Sequence, residues 1–185
     1  MKFYVIRHGQ TGMNVAHIYC GITDAELNAL GRAQAWPVAC RMAYKNIGLI
    51  ITSPLRRCIY MAELIKDRTG APIVVMKNFV ERNWGVYEGL TTDQVKAQYL
   101  HLYEANITRQ YDNAPPNGET IRQVEMRVKE GLALIKAKYP DRNVAITTHG
   151  YVGRVIHGMF NNISVGDPAY HAYTMQNAQI DEYKF

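Results

Sequence analysis

Apolar residues fall into two kinds of run along this chain. Short unbroken runs, "KFYVI" (2–6), "GLIIT" (48–52), "APIVVM" (71–76) and "NVAITT" (143–148), read as buried strands, and "AQIDEYKF" (178–185) reads as an edge strand. Between them lie longer stretches with helical spacing. Residues 28–46 predict a helix capped by Asn28, with Pro37 expected to kink or divide it. Further helices are expected over 55–68, near 92–104 and over 150–160. A long one over 120–139 carries Ile121, Val124, Val128, Leu132 and Ile135 on one face. Strand–helix alternation of this kind predicts an α/β fold, a three-layer α/β/α sandwich. Its central sheet should be largely parallel, with one antiparallel edge strand. No repeat, low-complexity tract or linker divides residues 1–185, so one domain is expected. The less regular region 84–117, with Gly85, Gly89 and Pro115-Pro116, is expected to cover a substrate as a lid.

Three of the strands stop at polar clusters: Arg7-His8, Ser53-Pro-Leu-Arg-Arg57 and His149-Gly150. Open α/β sheets bind ligands beyond the carboxyl ends of their strands, which gathers His8, Arg57 and His149 at one crevice. A neutral imidazole nitrogen is a nucleophile towards phosphorus, and guanidinium groups grip phosphate oxygens in pairs. Arg7 and Arg57 would supply two such groups, and a protonated His149 a further donor. Phosphoryl transfer is therefore the chemistry suggested. Its proton donor would come from "VERNWGVYEG" (80–89), which offers Glu81 and Glu88 without choosing between them. Each cluster has a duller reading as a helix cap, a basic turn or a surface ion pair. Their occurrence together at three strand ends favours the chemical one.

Composition narrows this little. The chain has 185 residues, 48% hydrophobic and 20% charged, which is ordinary for a globular protein. A net charge of +5 permits nucleic-acid binding, but no basic arm or arginine-rich tract supports it, and a pocket for an anionic metabolite fits better. No apolar run is long enough to span a bilayer. Cys20, Cys40 and Cys58 are odd in number and show no C-x-x-C spacing. The absence of a secretory pattern near the start then suggests a reducing cytoplasm. The six histidines show no H-x-x-x-H metal spacing.

Six motifs in order, "RHGQTGMN", "LNALGRAQA", "SPLRRCIYMA", "VERNWGVYEG", "PPNGET" and "ITTHGYVGR", together resemble the histidine phosphatase superfamily, in its phosphoglycerate mutase-like branch. The resemblance implies His8 as the phosphorylated nucleophile and Glu81 as the proton donor. It implies Arg7, Arg57, His149 and Asn14 as the phosphate pocket, with Gln10 and Thr11 as further substrate contacts. It implies no metal or other cofactor, and a small phosphorylated metabolite as partner, with a homodimer allowed. Cys58 and Met61 depart from the family's usual alanine and threonine and are read as packing variation. Gln10 stands where glutamate is frequent.

Within that family, mutases carry a long insertion before the G-E-S-like motif and a longer C-terminal tail. Here "YDNAPPNGET" runs directly from the Pro-Pro turn to Gly118-Glu119-Thr120, which favours a phosphatase. "ITRQYDNAPP" (107–116) is similar to the substrate-binding part of the mutases, making Arg109 a candidate specificity residue and a mutase the alternative. A non-catalytic phosphate-binding module is a lesser one, since both the nucleophile and the acid are present.

Overall fold

Strands β1 (Lys2–Arg7), β2 (Ile47–Thr52), β3 (Ile73–Val75), β4 (Asn143–Thr148) and β5 (Ile180–Lys184) form one sheet in the order β3-β2-β4-β1-β5 in the computed structural model, which describes residues 1–184. All pairs are parallel except β1–β5, which is antiparallel. The expected edge strand is therefore β5, and only Phe185 of its predicted span lies outside the described residues.

Side chains alternate across β1 and divide the core in two. Phe3 and Val5 join Leu49, Ile51, Val144 and Ile146 against α6 (Ile121–Lys138) and α7 (Gly150–Asn161). Tyr4 and Ile6 join Ile50 and Ala145 on the other face against α2 (Ala29–Met42) and α3 (Arg56–Thr69). The result is the expected three-layer sandwich. Helix α6 buries Ile121, Val124, Val128, Leu132 and Ile135, the stripe legible in the sequence, and starts at a capping box between Thr120 and Gln123.

Two helices differ in extent from the expectation. Helix α2 is capped by Asn28, whose side chain accepts from Gly31 N at 2.8 Å, and it is not divided at Pro37. Pro37 lies on the exposed face, while Ala35, Val38, Ala39 and Met42 anchor both halves to the sheet. Packing on either side outweighs the one lost backbone bond. The helix expected over 92–104 divides at Tyr99 into α4 (Thr92–Gln98) and α5 (Leu100–Glu104), where the Tyr99 backbone leaves helical geometry and its ring meets Tyr87 at 5.8 Å. Two short helices are not among those expected: α1 (Gly12–Val15), capped by Thr11, and α8 (Pro168–Ala172), capped by Asp167 just before its proline.

Candidate active site

Parallel register places the first two site residues side by side. Arg7 of β1 pairs with Thr148 of β4, and His8 N donates to Thr148 O at 3.1 Å, so both strands release a histidine at the same level. The His8 and His149 rings lie 5.2 Å apart, edge to face. On the other side of β4, Ser53 N donates to Thr147 O at 3.0 Å, which sets the turn leading into α3 and returns Arg57 to the same place. Close backbone packing fixes the level. A Cβ on Gly9 would lie 2.2 Å from Gly31 O, and one on Gly31 would lie 2.0 Å from Gln10 O. Only a glycine pair allows the opening loop to rest on the start of α2.

Hydrogen bonds assign the imidazole nitrogens. His8 Nδ1 is 2.7 Å from Gly9 O, an atom that only accepts, so Nδ1 carries the proton and Nε2 the lone pair. Arg57 Nε donates to that lone pair at 3.2 Å and to His149 Nδ1 at 3.3 Å. His149 Nε2 therefore bears its hydrogen and donates to Ser53 Oγ at 2.7 Å. Arg57 Nη1 and Nη2 donate to Thr23 O and Gly21 O, each at 2.7 Å, so its outer edge is held by the 21–24 loop. Arg7 donates through Nη1 to Met175 O, while its Nε is buried with no protein partner.

Both imidazoles are held well below the ordinary histidine pKa, first by burial and then by Arg57, with Arg7 adding to each. The neutral form leaves the His8 lone pair available. It also means that His149 donates through one N–H, without the protonation considered in the sequence reading. The linkage has a definite sign. A histidine depressed in the folded state stabilises the fold above its unfolded pKa, about 6.5, and that stability is lost as pH falls. Unfolding free energy, measured with urea, should fall between pH 7 and pH 5, by at most about 2 kcal/mol per histidine, the limit set by the unfolded-state pKa. A flat profile over that range would contradict burial of two neutral imidazoles.

Glu81 and Glu88 separate in space. Glu81 lines the cavity, its carboxylate accepting from Arg82 N at 2.9 Å and from Tyr151 N, in the first turn of α7, at 3.2 Å. Glu88 instead clamps a loop, accepting from Ile22 N, Thr23 N, Thr23 Oγ1 and Trp84 N. The segment carrying Glu81 is itself tied down. Arg127 donates to Asn78 O, Val80 O and Glu81 O and pairs with Glu119 at 2.9 Å, and Glu119 accepts from Asn83 N. Glu119 of the "GET" motif thus holds the strap on which Glu81 sits.

The cavity, about 300 Å³, is lined by Arg7, His8, Asn14, Arg57 and Glu81 among the residues singled out from sequence. Asn14 Oδ1 accepts from Thr11 N and Asn177 Nδ2, which leaves its amide N–H groups without a protein acceptor among the described residues. Gln10 and Thr11 do not line the cavity. The Gln10 side-chain oxygen accepts from Asn28, and Thr11 caps α1. Arg109 lies apart, on a neighbouring cavity. Sequence reasoning missed His17, Tyr19, Cys20, Trp84 and Thr92 in the cavity wall, and Ser53 and Asn177 behind the histidines. Only Ser53 and Trp84 lay inside a motif. Cys58 does more than pack: its thiol donates to Thr148 O at 3.3 Å and touches His149 Nε2 at 3.4 Å, while burial pushes its pKa far up. Among the described residues no three His, Cys, Asp or Glu side chains gather as a metal site, and no helix is long and apolar enough to cross a membrane.

A lone pair on a neutral imidazole, ringed by guanidinium groups at the carboxyl edge of a parallel sheet, defines an α/β enzyme that handles phosphate. The chain belongs to the histidine phosphatase superfamily (branch 1), which it matches over residues 3–185. It is 33% identical to the uncharacterized phosphatase PhoE of Bacillus subtilis, covering 98% of this chain and 86% of that one. It is 30% identical to the 2,3-bisphosphoglycerate-dependent phosphoglycerate mutase of Cytophaga hutchinsonii, covering 90% and 80%. Among solved structures, a mycobacterial glucosyl-3-phosphoglycerate phosphatase complexed with VO3 superposes with a TM-score of 0.88 at 29% identity, over 98% of this chain and 91% of that one.

Proposed function

We propose that this protein is a metal-independent phosphatase that hydrolyses a small phosphate monoester through a phosphohistidine on His8. The observation that carries the reading is the assignment of His8: Nδ1–H is committed to Gly9 O, and Nε2 presents its lone pair beside Arg57. In the first step His8 Nε2 attacks phosphorus, the ester P–O bond breaks, and Glu81 gives its proton to the departing oxygen. Water then attacks the phosphohistidine, the N–P bond breaks, and the Glu81 carboxylate takes the proton, releasing inorganic phosphate. Arg7, with its buried unpartnered Nε, Arg57 and the Asn14 amide hold the phosphoryl oxygens, while His149, behind Arg57 with its one N–H given to Ser53, positions that guanidinium. These donors supply the positive charge that the transition state needs, so the reaction calls on no metal. Residues 84–117, which contribute Trp84 and Thr92 to the cavity wall, act as the lid over the leaving group. The setting is cytoplasmic and the partner a small phosphorylated metabolite, without nucleic acid.

A mutase shares the first step and returns the phosphoryl group to a second hydroxyl; the identity with the Cytophaga enzyme favours keeping this reading. Incubation with 3-phosphoglycerate and 2,3-bisphosphoglycerate separates the two. Release of inorganic phosphate without 2-phosphoglycerate is expected, and conversion to 2-phosphoglycerate at a rate exceeding phosphate release would establish the mutase.

A further inference from the structure

Tyr19 and Thr92 line not only the phosphate cavity but also a second one of about 200 Å³. Its far wall is built by the lid region: Tyr87 from a turn of 3-10 helix, Leu102 and Tyr103 from α5, and Ile107 and Arg109 from the next turn. Tyr19 stands at the boundary, with its ring centroid 5.4 Å from Trp84 on the phosphate side and 5.5 Å from Tyr87 on the other. One polar group of the wall is open to a ligand: the exposed Arg109 guanidinium makes no hydrogen bond or ion pair with a described residue. Tyr87 offers its ring, since its hydroxyl is buried away from the cavity space.

We propose that this second cavity is a subsite for the leaving group, and that the substrate is a phosphate monoester of an alcohol carrying a flat ring with a polar substituent. The proposal rests on the reading of the first cavity as the phosphate site. Tyrosine faces and edges favour a planar ring over an extended polar chain. The unpaired Arg109 guanidinium at such a wall selects for a hydrogen-bond-accepting group on that ring. A three-carbon acid phosphate would occupy the first cavity alone and make no use of the aromatic wall beyond Tyr19.

Phosphonates test this without turnover. Dissociation constants would be measured calorimetrically for ω-phenylalkylphosphonates with two, three or four methylenes, each against the alkylphosphonate of equal chain length. The best phenyl member should bind about thirty-fold more tightly than its partner, the worth of burying one phenyl ring. Tyr103→Ala, at an exposed position, should cut that ratio about fivefold. Leu102→Trp, which fills the cavity, should bring it close to one, both variants leaving alkylphosphonate binding unchanged. A wild-type ratio below about three at every chain length, with alkylphosphonates bound, overturns the subsite alone. Failure of all phosphonates to bind, with no phosphoryl label on His8, overturns the phosphate site and the subsite with it.

Discussion

His8→Ala should abolish phosphoryl transfer: turnover of every phosphomonoester is expected to fall by about 10⁴-fold or more, because no other group lining the cavity would take its place as nucleophile. In the wild-type protein, rapid quenching after mixing with a ³²P-labelled monoester should trap one phosphoryl group per chain. That group should be acid-labile and base-stable, as expected of a nitrogen–phosphorus bond and not of a phosphoserine. The variant should trap none. Full labelling of His8→Ala would overturn the assignment of the nucleophile. The expected size follows from the geometry. Arg57 Nε sits 3.2 Å from His8 Nε2 and 3.3 Å from His149 Nδ1, but the other ring nitrogen of His149 is committed to Ser53. His149 is buried behind the guanidinium, with no exposed surface, and cannot substitute.

Glu81→Gln should separate substrates by their leaving group. Glutamine keeps the shape and still accepts from Tyr151 N through its amide oxygen, so the strap held by Arg127 and Glu119 stays in place. What is lost is the proton. For an alkyl phosphate, whose alkoxide leaves only when protonated, kcat/KM should fall by about 10²–10⁴-fold. For p-nitrophenyl phosphate, whose leaving group departs as a stable phenolate, the fall should stay within about tenfold. The comparison is made on kcat/KM because that ratio reports the first transfer and is blind to the later attack of water. Equal losses on the two substrates would remove Glu81 from the role of general acid.

Much of this protein was legible in its sequence, for reasons that are local. Strand runs such as "KFYVI" and "NVAITT" are buried on both faces and so read as continuous apolar segments, and the stripe from Ile121 to Ile135 has only one face to bury. Arg7, His8, Ser53, Arg57 and His149 fall at or just beyond strand ends, where the chain must leave the sheet and where a crevice forms. Motif order then carried the family. Pro37 does not divide α2 because propensity measures an isolated helix, whereas α2 is held to the sheet on both sides of the proline.

The tertiary structure decided what depends on contacts between distant segments. It separated Glu81 from Glu88, which strand ends and spacing left equivalent and only the family resemblance distinguished: one lines the cavity at the start of α7, the other ties down the 21–24 loop. It moved Gln10 and Thr11 out of the cavity, because their side chains are spent on Asn28 and on the cap of α1. It brought Tyr19, Trp84 and Thr92 in, although no periodicity marks them, since they come from segments distant in sequence that meet only at the cavity wall. The sequence by itself determined the layers and the chemical groups at the strand ends, because burial and strand termination are properties of contiguous residues. Which ring nitrogen of His8 carries the lone pair, which carboxylate lines the same cavity and what wall stands beyond them depend on hydrogen bonds spanning up to 169 positions along the chain, and only the folded arrangement sets those.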